Sequence, residues 1–300
     1  MKEMHLEGIR VKSFRLGRLV VGVACDVGPR VLWLSHEKRP DFNLFGVLPE
    51  TGVQTPEGFW YIYGGHRLWT SPEAMPRSYS PDNQPVIISM AGKSLTVKGQ
   101  PEQANSVQKS LRLTPIGPET LKVVHTITNI GRWPITLAAW ALSVMRPEGL
   151  AVIPVHPSRV DSAGLLPDRH LTLWPYTDLS DPRLSFTRDY LFLRQDLKAK
   201  SPVKIGAAAR PDWAAYWVEE LSLIKTFHKK NAAYPDYGCT VEVYTNAQFL
   251  ELETVGPLET LAPGSHLEHT ECWTLAMVPG NKSAPGKLAE LLAQTIQEKA

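Results

Sequence analysis

Two glutamates near the C-terminal end of the chain have a spacing suited to acid–base chemistry. Glu251 and Glu253 stand two positions apart in the run FLELET. Because side chains alternate along a β-strand, both carboxylates would leave the same face about 7 Å apart, with Leu250 and Leu252 on the core side. A buried carboxylate can serve as a general base. The alternative is a solvated strand face, and a hydrolase pair is less expected because such pairs normally come from different elements.

A second cluster combines a histidine and an arginine with glycines and aromatics in the segment GGHRLW, residues 64–69. Glycine permits close backbone approach. Arg67 offers a planar fork of donors for hydroxyl or anionic groups, and His66 beside it could donate a proton. Clusters of this kind on loops are often functional, although a tight turn whose aromatics fill the core would give the same pattern.

The histidine-rich segment HLEHTE, residues 266–271, suggests a metal site, but its spacing argues against one. On a strand, His266 and Glu268 would face one side, and His269 and Glu271 the other. At most two ligands would converge, fewer than the three or four protein ligands of zinc sites. The sequence also contains no P-loop, no dinucleotide fingerprint and no serine nucleophile elbow. We therefore expect neither a metal nor a cofactor.

Composition and charge exclude several classes of partner. The net charge is +2 and the basic residues are interleaved with acidic ones, so we expect no nucleic-acid partner. The longest apolar stretch, residues 135–145, is about half the length of a membrane-spanning helix, and the N-terminus lacks the apolar core of a signal peptide. Three cysteines, Cys25, Cys239 and Cys272, form no CxxC pair. We therefore expect reduced thiols, a cytoplasmic location and no membrane partner.

The elements that position these residues are predicted to be mainly β-strands. Short β-rich runs separated by glycine, proline and asparagine recur along most of the chain. The predicted strands cover residues 9–14, 19–27, 30–35, 86–90, 94–98, 107–114, 121–127, 135–145, 214–218, 221–227, 240–245, 248–254 and 267–275.

The remaining segments complete the prediction of the fold. Residues 36–60 have the composition of turns, residues 154–203 give no clear assignment, and a helical period is confined to residues 286–300. No linker or internal repeat divides the chain. We predict a single all-β domain, residues 1–300, built as a large antiparallel two-sheet sandwich with one C-terminal helix.

Several short motifs resemble a known family. Residues 249–254, the Pro-Gly turn in 261–265 and the last strand in 270–275 resemble the C-terminal end of the aldose 1-epimerase (galactose mutarotase) family. The segments 63–69 and 234–239 are most similar to a bacterial branch of mutarotase-like proteins. The resemblance implies the large antiparallel sandwich of that superfamily, in agreement with the strand prediction, and a cleft that holds a carbohydrate.

The resemblance also implies roles for individual residues. Glu253 stands where the family has its catalytic base, and Arg67 is the counterpart of a sugar-binding arginine. The stretch that should carry the family's catalytic histidine has Trp140 in its place. This departure argues against the usual reaction.

Interconversion of sugar anomers, the reaction that the resemblance implies, needs both a base and an acid. The base takes the proton of the anomeric hydroxyl while the acid protonates the ring oxygen, and the opened aldehyde rotates before the ring closes. Glu253 would be the base. His66 is the first candidate for the acid because it adjoins Arg67, with His125 and His156 as alternatives. His125 otherwise suits a satisfied core histidine.

Other residues could contact a sugar in the cleft. Candidate stacking platforms for a pyranose ring are Trp60, Trp69, Trp140, Trp174 and Trp213. Trp140 is the preferred one because of its position in the resemblance, although any single tryptophan is more often part of a core. Glu251, Lys225, Asp236 and Tyr237 are further candidates for substrate contacts.

These observations lead to three hypotheses. The first is a mutarotase-like protein that binds a small-molecule sugar or sugar derivative and acts as a 1-epimerase, with Glu253 as base. The second is a non-catalytic carbohydrate-binding protein that has lost the acid. The third is a structural domain without a ligand, which predicts a cleft without convergent polar groups around Arg67 and Glu253.

Overall fold

A computed structural model describes residues 2–299, which form 23 strands, two single-turn 3-10 helices and one α-helix. The first twelve strands are β1 Lys2–Leu6, β2 Ile9–Leu16, β3 Leu19–Ala24, β4 Arg30–His36, β5 Val47–Thr55, β6 Gly58–Gly64, β7 His66–Ser71, β8 Ile87–Ala91, β9 Ser94–Lys98, β10 Val107–Gly117, β11 Thr120–Asn129 and β12 Ile135–Met145.

The second half of the chain continues this series. Its strands are β13 Leu150–Pro154, β14 Leu171–Leu173, β15 Leu184–Phe186, β16 Tyr190–Arg194, β17 Val203–Ala207, β18 Trp213–Val218, β19 Leu221–Phe227, β20 Val241–Thr245, β21 Leu250–Val255, β22 Glu259–Leu261 and β23 His266–Met277. The 3-10 helices are Arg77–Tyr79 and Asp236–Gly238, and the α-helix α1 is Pro285–Lys299.

Two large antiparallel sheets form the body of the molecule. Sheet I has the order β1-β2-β3-β4-β7-β12-β21-β20-β17-β14, with β22 added at one end of β12. Sheet II has the order β15-β16-β13-β18-β19-β23-β11-β10-β9-β8. Every strand except those at the edges is hydrogen-bonded to a neighbour on each side. The backbone polar groups of the central strands are therefore paired within the sheets.

The main core lies between the two sheets and follows the alternation of side chains along each strand. In β21, Leu250 and Leu252 point into this core, and in β23 Trp273 and Leu275 meet them from sheet II. All four are fully buried. The prediction of a two-sheet β-sandwich is confirmed.

The other face of sheet I is also covered, which explains the unbroken apolar run of β12. The β5–β6 hairpin packs over β7 and β12, so Trp60 and Ile62 contact Trp69 and Trp140. Strands buried on both faces lack the apolar–polar alternation of a half-exposed strand. The assignment of residues 135–145 to a strand is confirmed.

The C-terminal helix packs against the outer face of sheet II. Leu288 and Leu292 of α1 contact Val152 and Ile224 in a separate apolar cluster. The predicted helix is confirmed up to Lys299, and Ala300 lies outside the described residues. None of the helices in residues 2–299 combines the length and the apolar character needed to cross a bilayer.

Several segments differ from the sequence prediction, among them the strands β1, β7 and β13, which were not predicted. Residues 36–60 were expected to form turns, but they contain all of β5 and the start of β6. Their glycines and prolines stand at the hairpin ends and at an irregular step in the register between Leu48 and Gly52, where turn-forming residues fit. Residues 154–203, which gave no assignment, contain the short strands β14, β15 and β16.

Candidate functional site

A cleft with a cavity volume of about 450 Å³ opens on the outer face of sheet I. Its floor is formed by β7, β12 and β21, and the β5–β6 hairpin provides one wall. The period of two in β7 places Arg67 and Trp69 on this face, and the same period in β12 places Trp140 and Leu142 beside them. The aromatic residues that line the cleft are Trp60, Trp69, Tyr79, Trp140, Trp174, Tyr176, Tyr244 and Phe249.

An ion pair crosses the floor of the cleft. Arg67 Nη1 lies 2.7 Å from Glu251 Oε1, and both side chains are nearly buried. The Arg67 guanidinium also stacks on Trp69, at 4.4 Å from the ring centroid. Its Nε–H has no hydrogen-bond partner among residues 2–299, and neither has the indole N–H of Trp60. Buried donors without partners are rare in proteins, so these two call for an explanation such as a bound water or ligand.

Glu253 lies beside this pair, on the same face of β21, and is completely buried. Its Oε2 accepts hydrogen bonds from Trp140 Nε1 at 2.7 Å and from Lys204 Nζ at 3.2 Å. Its Oε1 has no partner within the described chain. Burial, which disfavours the charged carboxylate, raises the pKa of Glu253 to about 7.

Lys204 joins Glu253 to a second carboxylate. Lys204 Nζ lies 2.8 Å from Glu242 Oε2, and Glu242 is fully buried opposite Glu253 on β20. Burial disfavours the Lys204 ammonium, but the two carboxylates outweigh burial and raise the pKa of Lys204 well above its ordinary value. Burial raises the pKa of Glu242 well above its ordinary range. Lys204 thus holds two buried carboxylates together behind the floor of the cleft.

His66 lies on the opposite face of sheet I from Arg67, because consecutive residues of a strand point in opposite directions. Its Nδ1 lies 2.8 Å from Ser143 Oγ and its Nε2 lies 2.7 Å from His125 Nε2, inside the core between the sheets. His66 therefore does not line the cleft with Arg67, as its choice as the acid required. Burial also lowers the pKa of His66 well below its ordinary value.

The hydrogen bonds of the core histidines specify their tautomers. His125 Nδ1 donates to the backbone carbonyl of His269 at 2.9 Å, so its Nε2 must accept from His66 Nε2–H. Lys225 Nζ lies 3.1 Å from Glu271 Oε1 in the same cluster. Although His66, His125 and Glu271 lie close enough together to suggest a metal site, these contacts already occupy their ligand atoms. Lys225 belongs to this internal cluster and does not reach the cleft.

The remaining candidates divide between the cleft and other regions. Of the five tryptophans proposed as platforms, four line the cleft, whereas Trp213 packs beneath α1. Asp236 accepts a hydrogen bond from Ser71 Oγ at 3.4 Å, at the end of β7. Tyr237 is 88% exposed and does not line the cavity. His156 stacks edge-on against Tyr190, away from the cleft.

Several cleft residues escaped the sequence analysis. They are Lys204, Glu73, Tyr79, Tyr176, Tyr244 and Phe249, and Glu242 is the buried partner of Lys204 behind them. Lys204 carried a usable indication, since it is a single charged residue inside the apolar run VKIGAAA. A lone lysine in a buried strand requires a carboxylate partner.

Comparisons with known proteins support the fold. No protein-family model and no curated protein sequence matches the chain. A galactose mutarotase-like protein from Lactobacillus casei has a similar solved structure, with a TM-score of 0.53, 10% identity and coverage of 88% of this chain and 99% of that one. A galactose mutarotase related enzyme from Lactobacillus acidophilus gives a TM-score of 0.55, 9% identity and coverage of 91% and 99%.

A longer protein contains the same fold as one part. The TPR-domain containing protein from Parabacteroides distasonis gives a TM-score of 0.60 with 12% identity over 91% of this chain, and the chain spans 48% of that protein. At such identities the likeness concerns the fold. The chain thus has the galactose mutarotase-like fold.

Proposed function

We propose that this protein binds an uncharged carbohydrate in the aromatic cleft on sheet I. The observation that carries the proposal is the lining of the cleft, where four tryptophans surround nearly buried polar groups. Sugar rings stack their apolar faces on aromatic rings, while their hydroxyls take hydrogen bonds at the ring edge. The free donors of Arg67 and Trp60 suit the oxygen atoms of hydroxyl groups. Because polar groups converge here, the geometry argues against a domain without a ligand.

The charges around the cleft favour a neutral ligand. Arg67 is already paired with Glu251, and Lys204 with Glu242 and Glu253. A phosphate group would therefore have to displace carboxylates from both cations. It would also meet these carboxylates as like charges, which is unfavourable.

Calorimetric titration with uncharged aldoses, their methyl glycosides and their 6-phosphates tests this proposal. We expect an uncharged sugar to bind and its phosphate to bind more weakly. Trp60→Phe removes one indole N–H and should weaken binding by about 1 kcal/mol, or about fivefold. Trp133→Phe is the matched control, because Trp133 is 78% exposed and lies outside the cleft. Absence of binding by every sugar near millimolar concentration would contradict the proposal, and tighter binding of the phosphates would contradict its charge assignment.

A second candidate function, aldose 1-epimerase activity, is favoured by the state of Glu253. A general base works best when its pKa lies near the working pH, and the pKa of Glu253 is about 7. Among residues 2–299, no histidine lines the cleft, so Lys204 would have to serve as the acid. Its raised pKa makes it a weak proton donor at neutral pH. For this reason binding without turnover ranks first.

Magnetisation exchange between the two anomers of a bound aldose measures this second candidate directly. If the protein is an epimerase that uses Glu253, the anomers should exchange faster in its presence than in buffer alone. Glu253→Gln should then remove this acceleration. A rate equal to that in buffer, or an excess that Glu253→Gln retains, rules out the mechanism.

A further inference from the structure

The two large sheets formed by residues 2–299 end in four edge strands, and these strands are protected to very different degrees. An edge strand exposes backbone N–H and C=O groups, so proteins usually keep it short or place charges and prolines on it. In sheet I, β1 carries Lys2, Glu3 and His5, and β14 has only three residues. In sheet II, β15 also has three residues, whereas β8 has five and carries no charge.

The edge strand β8 has the composition of a strand that pairs with another chain. Its sequence IISMA contains neither a charged residue nor a proline, and the uncharged stretch extends from Asn83 to Gly92. Ile87 is 57% exposed and Met90 is 46% exposed. Because an open, uncharged and apolar edge is a template for a further strand, we expect β8 to be covered in solution.

The sequence of β8 is complementary to itself. In an antiparallel pair of two β8 strands with the two-fold axis at Ser89, all five residues of each strand face a residue of the other. Ile87 of one copy then meets Ala91 of the other on the outer face, so a large side chain faces a small one. Ile88 meets Met90 on the face towards the core, since both pair with core residues of β9.

Other registers of this pair are less favourable. Moving the axis by one residue towards the N-terminus would place Pro85, which cannot donate to the ladder, opposite Ala91. Moving it by one residue towards the C-terminus would place the charged Lys93 opposite Ile87. With the axis at Ser89, the two Lys93 residues are eight positions apart along the strands, or about 26 Å, so their like charges do not meet.

We propose that β8 is the interface of a symmetric homodimer, in which sheet II continues from one copy of the chain into the other. The two-fold pairing uses both free edges at once, so it closes and does not grow into a fibre. A single pair of strands buries less area than a standard protein interface, and we therefore expect a dissociation constant of about 1–100 μM. The interface lies on sheet II and is separate from the cleft of sheet I.

Sedimentation velocity over a range of protein concentrations tests the proposal. The mass should rise from that of the chain, 33.4 kDa, to twice this value as the concentration increases. Met90→Lys places a charge opposite Ile88 and should raise the dissociation constant at least about tenfold. Ile87→Lys, at a more exposed position, should weaken the dimer as well and serves as the second variant. Leu171→Lys is the matched control, because Leu171 is 42% exposed on the edge strand β14.

Cross-linking through engineered cysteines tests the register. In the proposed pair the two Ser89 residues lie opposite each other, so Ser89→Cys should give a disulfide-linked dimer under mild oxidation. Thr96→Cys is the control, because Thr96 pairs with Ser89 on the next strand, β9. Two copies of Thr96 would be three strand spacings apart, about 14 Å, which is beyond the reach of a disulfide. The natural protein controls for cross-linking through its own cysteines.

Four results would overturn the inference. The first is a mass of one chain at every concentration up to about 200 μM. The second is a dimer that both Met90→Lys and Ile87→Lys leave unchanged, and the third is cross-linking of Thr96→Cys as readily as of Ser89→Cys. The fourth is growth beyond the dimer as the concentration rises, since the proposed pair leaves no second free β8 edge.

Discussion

Buried charged groups lie on both sides of sheet I, in the core between the two sheets and beside the cleft, and the two sets differ in how completely they are hydrogen-bonded. In the core, Glu271 of sheet II accepts from Thr254 Oγ1 at 2.5 Å and from Trp273 Nε1 at 2.6 Å, and it pairs with Lys225. On the cleft face, Glu253 has one oxygen without a partner among residues 2–299. The core set is thus satisfied within the protein, whereas the set behind the floor of the cleft is not.

The carboxylates of Glu271 and Glu253 differ in their pKa values for the same reason. Burial disfavours the charged form of both. At Glu271, the Lys225 ammonium and the hydrogen bond from Thr254 overcome burial and lower the pKa to about 2. At Glu253, burial prevails over Lys204 and the pKa rises to about 7. The incompletely hydrogen-bonded carboxylate beside the cleft therefore calls for a functional explanation, whereas the satisfied carboxylate of the core does not.

Removal of the inner cation should have the largest effect on stability. Lys225→Met leaves the Glu271 carboxylate buried without its ion-pair partner, which costs about 3–5 kcal/mol of unfolding free energy. Urea unfolding measures this loss. Lys122→Met, at an exposed position on β11, is the control and should change stability by less than about 0.5 kcal/mol. Equal losses in the two variants would show that the inner cluster is not a coupled network.

The dependence of stability on pH should run in opposite directions for Glu253 and Glu271. The pKa of Glu253 is raised from 4.5 to about 7 in the folded protein. The stability that protonated Glu253 contributes is therefore complete below pH 4.5 and is lost as the pH rises to 7. Relative to Glu253→Gln, the natural protein should lose about 3 kcal/mol over this interval. Unfolding free energies measured at several pH values give the difference directly.

The matched variant for this pH test is Glu271→Gln. The pKa of Glu271 is lowered from 4.5 to about 2 in the folded protein. The stability that ionised Glu271 contributes is therefore complete above pH 4.5 and is lost as the pH falls towards 2. If the Glu253→Gln curve ran parallel to that of the natural protein between pH 4.5 and 7, the raised pKa would be wrong.

The smallest expected effect is the difference in unfolding free energy between two tryptophan variants. Trp60→Phe and Trp273→Phe each remove one indole N–H, but only that of Trp273 donates to a carboxylate. We expect Trp273→Phe to cost about 1.5–3 kcal/mol more than Trp60→Phe, the value of a hydrogen bond to a charged group. Thermal or urea unfolding of the two variants provides the comparison. A similar loss in both would remove the distinction between satisfied and unsatisfied donors.

Local periodicity was sufficient for most of the long strands and for the shared face of Glu251 and Glu253. The alternation in residues 249–254 predicted that Glu251 and Glu253 share a face, and the structure confirms this arrangement. The same rule, applied to His66 and Arg67, predicts that their side chains point to opposite faces of the strand. The glycine pair before them gave the segment the composition of a loop, although β7 begins at His66.

The rest of the cleft could not be derived from local patterns. Trp174 and Tyr176 follow β14, a strand of three residues that pairs only with β17. Such a short strand has no periodicity of its own, and its position depends on partners distant in the sequence. Lys204 is placed opposite Glu242 and Glu253 by the pairing of β17 with β20 and of β20 with β21. Only tertiary contacts could reveal that cluster.

The cleft draws its lining from residues 51 to 251, so most of the chain must be in place before it exists. Contacts between such distant segments form late, because closing long loops costs entropy before the contacts can compensate. A ligand that binds only the completed cleft stabilises the native state by mass action. It should therefore slow unfolding and leave the folding rate unchanged, since the transition state lacks the finished site. Ligand binding thus reports that sheet I and the β5–β6 hairpin over it are assembled.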